Sequence, residues 1–307
     1  MRTNESLQVT QHIRVLGRRS HTHLMLCANN LLYVVKPLDT PDKPRDEPRR
    51  RQLMAGFLAV RLARFAGLPV SEPVTVEISD FVARTTSELE QDVTLHATAA
   101  TSFHPATRYA GDLNGKKVFD MLPDPCLTSL TNLSTFAHLL ALDQWCSHLG
   151  SPKAVFHRSS NSLHYSMEVI NRGRSFGGSD LNFHDHPQNG VYNFKAVYRH
   201  LQGWDSFEPF LTSLILTSPD TLWQLTRNLP FGWSEDYARD LDALVDGLLR
   251  RRSLIRQLIA RSRDQIPDLF PCWTRRAFVP TQGSWLQAPR VLGAQEVFPI
   301  ENTAQTN

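Results

Sequence analysis

Long apolar runs are missing from this 307-residue chain. None reaches the ~18 residues of a membrane-spanning helix, and the opening MRTNESLQVTQHIRV lacks the apolar core of a signal peptide. Cysteine is scarce. Cys27, Cys126, Cys146 and Cys272 lie far apart with no CxxC pair, which argues against a disulfide framework and a zinc site. Reduced thiols in a cytoplasmic protein are the expectation. Charge of one sign is also lacking: 33 Lys and Arg against 30 Asp and Glu leave a net +3, too little to argue for nucleic acid by itself. No internal repeat is visible.

What remains is an ordinary globular composition, 41% apolar and 21% charged, long enough for one large domain or two lobes. His12–Leu16, Thr22–Cys27 and Leu31–Val35 read as strands rich in β-branched residues, with Asn29-Asn30 as a hairpin turn. TPDKPRDEPRRR (40–51) reads as a solvated loop. A helix at about 53–66 follows, because Leu53, Phe57, Leu58, Leu62 and Phe65 share a face and Gly67-Leu68-Pro69 ends it. Val74–Ile78 and Val118–Leu122 read as strands, and the polar stretch 86–106 as a long loop. In the second half, Leu130–Trp145 is the strongest helical pattern and Leu163–Ile170 alternates as a strand. Helices are expected at 193–202, 205–215, 219–227, 234–247 and 248–264. The expected organisation is α+β. A β-rich N-terminal lobe spans 1–125, a larger helical lobe 126–275, and a loose tail 276–307. That is the outline of a two-lobed protein-kinase-like fold.

Seven stretches, in order, resemble the HipA-like kinase family. Tyr33-Val34-Val35-Lys36 resembles the strand that ends in the phosphate-contacting Lys. LARFAGLPVSEPV (62–74) is similar to the helix and Gly-Leu-Pro segment. FHPATRY (103–109) sits where the family has its phosphate-covering loop. VFDMLPD (118–124) resembles the entry to the helical lobe. ALDQWCSHLGSPKAVF (141–156) resembles the catalytic-loop segment, and VINRGRSFGG (169–178) the metal-binding segment. LFPCW (269–273) is similar to the closing Phe-Pro-x-Trp.

The resemblance implies ATP as ligand and Mg²⁺ as metal, and assigns roles residue by residue. Phosphoryl transfer asks the protein for a positioned acceptor, a carboxylate, metal ligands and a cation. Lys36 takes the strand Lys; the alternative is a Lys leaving a strand for solvent. The catalytic Asp falls on Gly150 and its preceding Asn on His148, with Pro152-Lys153 in place of Arg-Gln. His148 is a conceivable base, or simply a loop histidine. Asp143 is the nearest carboxylate, read as structural or as a weak catalytic candidate. The metal-binding Asp falls on Asn171, which has an oxygen but no charge, so Mg²⁺ is doubtful. The Glu that would orient the Lys falls on Gly56, beside Ala55, with Gln52 the nearest polar side chain. In the covering loop Pro105-Ala106-Thr107 replaces Phe-Gly-Ser, while Arg108 remains as a phosphate partner or a solvated side chain.

Three acids are thus replaced, and no catalytic residue is intact. The expectation is a pseudokinase that binds a protein partner or, weakly, nucleotide. An active kinase using His148 or Asp143 is the alternative. A nucleic-acid-associated module built on the arginines of 250–263 is a second alternative, against a solvated helix face. His184-Asp185-His186 has no specific metal spacing and reads as a solvated loop.

Overall fold

The computed structural model describes residues 7–17, 21–38, 46–87, 89, 101–112, 117–158 and 162–273. They belong to one compact unit, Met1–Thr274; the second unit, Arg275–Asn307, which holds the expected tail, lies outside the described residues. The N-terminal part is a five-stranded closed barrel of β1 (Leu7–Gly17), β2 (Thr22–Cys27), β3 (Leu32–Val35), β4 (Pro73–Ser79) and β5 (Thr101–Arg108), in the order β1-β2-β3-β5-β4. Between β3 and β4 runs α1 (Glu47–Phe65), and β4 leads into the short α2 (Asp80–Arg84). A parallel pairing of Leu7 with Val76 and Gln8 with Glu77 closes the ring, so no sheet edge is left open.

Three expectations are corrected here. The charged stretch before Leu53 is not all loop: the Asp46 side chain accepts the Arg49 amide, and Glu47 and Pro48 form the first helical turn. An acidic N-cap followed by a proline that needs no amide partner is a helix start. FHPATRY is not a loop over a ligand but most of β5, paired on both sides with β3 and β4. Proline inside a run argues against a central strand, yet the Pro105 carbonyl accepts the Lys36 amide at 3.0 Å. The strand expected at Val118–Leu122 shrinks to β6 (Val118–Phe119).

The C-terminal part is helical around one hairpin. After α3 (Asp124–Thr128), helix α4 (Thr135–Trp145) is buried nearly all round, from Phe136 to Trp145. A seven-residue loop then enters β7 (Lys153–His157), which pairs antiparallel with β8 (Ser166–Ile170). Of the expected later helices, 193–202 holds only a 3-10 turn (Lys195–Tyr198). The others resolve into α5 (Phe210–Ile215), α6 (Pro219–Thr226), α7 (Trp233–Asp236), α8 (Ala238–Arg251) and α9 (Ile255–Gln265).

Two apolar clusters hold the unit together. The smaller fills the barrel with Met25, Val35, Val76 and Ile78 among others. The larger contains the α4 core and also the inner face of α1, including Met54, Phe57, Leu58 and Leu62. Helix α1 comes from the N-terminal half of the chain, yet its apolar stripe is buried with the helical part. The Phe57 ring packs edge-on to Trp233 at 5.9 Å, and Arg61 donates to the carbonyls of Leu225, Arg227 and Asn228. This clamps α1 to the connection between α6 and α7.

Candidate functional site

Lys36 follows β3, whose pairing with β5 fixes the backbone direction there. Asn171 follows β8, which is held between β7 and the Val70 bridge. These separate frames bring two residues 135 positions apart into contact: Lys36 Nζ donates to Asn171 Oδ1 at 3.1 Å. Asn171 adopts φ +54°, a left-handed conformation that Asn tolerates better than most residues. Lys36 is half-buried. Desolvation, with the charges of Arg49 and Lys153 added, lowers its pKa from 10.5 to about 8. A carboxylate beside an ammonium would push the other way. Among the described residues, Lys36 forms no ion pair.

The helix position assigned to a Lys-orienting acid is closed by packing. A Cβ on Gly56 would lie 3.1 Å from the Gly173 Cα and 3.2 Å from its nitrogen, while a Cβ on Gly173 would meet Gln52 at 3.3 Å. Two glycines facing each other let α1 and the post-β8 segment touch backbone to backbone. An acidic side chain at 56 has no room to reach Lys36 without moving that segment.

The loop Cys146–Pro152 contains no acid. Gly150 has φ +70°, and a Cβ there would sit 3.5 Å from the Arg174 guanidinium. The loop is stitched to its neighbours: Leu149 donates to the Arg174 carbonyl at 2.9 Å, Gly190 to the Gly150 carbonyl at 2.9 Å, and Gly150 to Asn189 Oδ1 at 3.2 Å. His148 is 1% exposed, with Nδ1 3.1 Å from Ser175 Oγ. Burial first, then the charges of Arg172 and Arg174, hold its pKa well below the usual imidazole value. A neutral, enclosed imidazole is poorly placed to meet a substrate hydroxyl.

Asp143 is fully buried and pairs with Arg172, itself 2% exposed. Burial raises the Asp143 pKa, opposed by the adjacent guanidinium. Asp143 Oδ2 and Arg172 Nε and Nη1 have no hydrogen-bond partner. The pair ties α4 to the segment after β8. Arg172 was not singled out from sequence: an arginine in an Asn-Arg-Gly turn carries no periodic signal.

Arg108 is exposed and lies across from Tyr33, while the Pro105 carbonyl takes the Lys36 amide. At about 3.3 Å per residue, three positions along the strand separate Arg108 from Lys36 by about 10 Å. The structure brings Lys36 and Asn171 together and leaves Arg108 apart.

The C-terminal arginines do not form one solvated face. Arg251 is 7% exposed. It donates to the Trp145 and Gln144 carbonyls at 2.8 and 2.7 Å and to Asp185 at 2.7 Å, closing the end of α4. Its phase, seven after Leu244 and three after Leu248, gives this away in the sequence. Arg252 donates to the Thr217 carbonyl, and Arg256 pairs with Glu208. In the His184-Asp185-His186 stretch Asp185 is engaged by Arg251, and the His186 ring nitrogen accepts the Gln188 amide at 3.2 Å.

Magnesium does not fit the donors at this site. Hard divalent cations want several oxygens, carboxylates foremost. Asn171 Oδ1 is neutral and already accepts from an ammonium. Among the described residues no group of three His, Cys, Asp or Glu could hold a metal.

No family model and no curated protein matches this chain. Solved structures similar to it include the Golgi casein kinase with Mn/ADP bound, at 12% identity and TM-score 0.44, covering 85% of this chain and 73% of that one. Another structure of the Golgi casein kinase matches at 12% identity and TM-score 0.46, covering 85% and 72%. The Helicobacter pylori proinflammatory kinase CtkA matches at 15% identity and TM-score 0.44, covering 84% of this chain and 98% of that one.

Proposed function

We propose that the chain is a kinase-fold protein of HipA-like type whose phosphotransfer is impaired, a pseudokinase acting through a protein partner or through nucleotide binding. One observation carries the reading: Lys36 is bonded to the neutral Asn171, where a kinase needs a metal-holding acid. The alternative bases support it further, since Asp143 and His148 are both enclosed and engaged. Losing base, metal ligand and Lys orienter together removes orders of magnitude of rate if each contributes even ~2–3 kcal/mol, though such effects are not strictly additive.

A cytoplasmic setting belongs to the same proposal. All four cysteines are free thiols, and no helix among the described residues is long and apolar enough to cross a membrane.

The test is transfer of radiolabelled γ-phosphate from ATP to the protein itself and to a generic Ser/Thr substrate, with Mg²⁺ or Mn²⁺. Incorporation should not exceed that of heat-inactivated protein. Stoichiometric labelling that disappears in Lys36→Ala would refute the reading.

A further inference from the structure

Where the resemblance implies a metal, the Lys36–Asn171 contact has positive charge beside it. Lys153 opens β7 opposite Ile170, the residue before Asn171, and opposed residues in an antiparallel pair lie about 5 Å apart. Its charge reaches Lys36, whose pKa it helps lower. Arg174 lies three residues past Asn171 with its guanidinium against Gly150. Its backbone is pinned there by the Leu149 amide. Lys153 and Arg174 are exposed, and neither forms an ion pair among the described residues. Lys153 beside Lys36 and Arg174 over Gly150 thus flank the segment that carries Asn171, and the glycine beneath Arg174 adds no side chain to cover it.

Cations held this close repel one another, and an anion placed among them gains from each. Arginine supplies a planar fork suited to phosphate oxygens and lysine a point charge. A triphosphate carries enough negative charge to engage more than one of them. Precomplexed with Mg²⁺ it is two charges poorer, and the metal would meet an ammonium and a neutral amide already bonded to each other.

We propose that the cleft binds a phosphate-rich anion without a divalent metal, with Lys153 and Arg174 supplying beside Lys36 the positive charge that magnesium supplies in a kinase. This rests on the pseudokinase reading and names its ligand class. Both side chains are exposed, where they can touch phosphate.

The experiment is calorimetric titration of the full chain with ATP and, separately, with inorganic tripolyphosphate, each in EDTA and again with excess Mg²⁺. Both ligands should bind in EDTA, with affinity falling several-fold on adding Mg²⁺. Lys153→Ala and Arg174→Ala should each lose about tenfold, the scale of one charge-assisted contact, with unchanged melting temperatures. ATP binding more than tenfold tighter than tripolyphosphate assigns the site to a nucleotide, and equal binding to a free polyphosphate. Absence of binding in EDTA, tightening by Mg²⁺, or wild-type affinity in both variants overturns the proposal. Those outcomes without phosphotransfer leave the pseudokinase reading intact; phosphotransfer in the labelling assay overturns that reading whatever the titration shows.

Discussion

The two sides of the loop after α4 are built on opposite terms. Its inner side is saturated with contacts: Arg251 closes the helix end, Asp143 and Arg172 form a buried pair, and Trp145 Nε1 donates to the Leu248 carbonyl at 2.8 Å. Its outer side offers Gly150, Asn171 and unpaired cations. A buried ion pair stabilises little by itself, because desolvation consumes most of its Coulomb energy. Removing one partner is another matter.

The largest expected effect is therefore on the inner side. Asp143→Ala leaves the Arg172 guanidinium buried without its partner, a change that typically costs 3–5 kcal/mol. The double replacement Asp143→Leu with Arg172→Met should recover most of that loss in urea denaturation. If the single and double variants are equally unstable, the pair does more than neutralise itself. Arg251→Ala comes next. It removes donors to two carbonyls and to Asp185 and should cost about 3 kcal/mol, a fall of roughly 6–12 °C in melting temperature for a domain of this size. A change under 2 °C would show that α4 ends stably without it.

Placing an acid on the helix side gives a smaller, sharper result. Gly56→Glu brings a carboxylate towards Lys36, but its Cβ would press on the Gly173 backbone at 3.1 Å. Overpacking of this kind costs about 1–3 kcal/mol. A stability equal to wild type would mean that the post-β8 segment yields easily.

How much of this was legible beforehand follows from which residues speak locally. Tyr33-Val34-Val35 announces a strand by composition, and α1 by its apolar period; both were readable, as was the absence of acids between 144 and 152. Asp46 and Pro48 announce the helix start as well, but a neighbourhood of charge and proline masked them. Pro105 hid β5, because a proline counts against a strand while only the fold reveals that its carbonyl is used. The Lys36–Asn171 contact has no trace in the sequence, since nothing in either segment specifies the other. Arg172, Arg174 and the Gly56–Gly173 approach are facts of three-dimensional packing with no periodic trace. Arg251 was the exception: helical phase places it among leucines, and its charge led to the opposite assignment.

The smallest effect lies on the outer side and concerns pH. The folded pKa of Lys36 is about 8 against 10.5 in the unfolded chain. Between those values the unfolded chain holds more protons than the native one, so stability contributed by this residue rises with pH across that window. Below pH 8 both states are protonated and the penalty of confining the charge is fully present; above 10.5 it is gone. Lys36→Met removes the titration and should flatten the melting temperature of the variant, relative to wild type, between pH 8 and 10.5. Asn171→Asp should act through the same bond in the opposite sense. A carboxylate accepting from Nζ favours the ammonium, so it raises the lysine pKa and makes the slope shallower, the pair itself adding about 1 kcal/mol or less at pH 7, as for other partly exposed pairs. Parallel curves for wild type and Asn171→Asp would mean that the Asn171 oxygen and the Lys36 ammonium are not partners in solution, and the contrast between a filled inner side and a cation-lined outer side would lose its anchor.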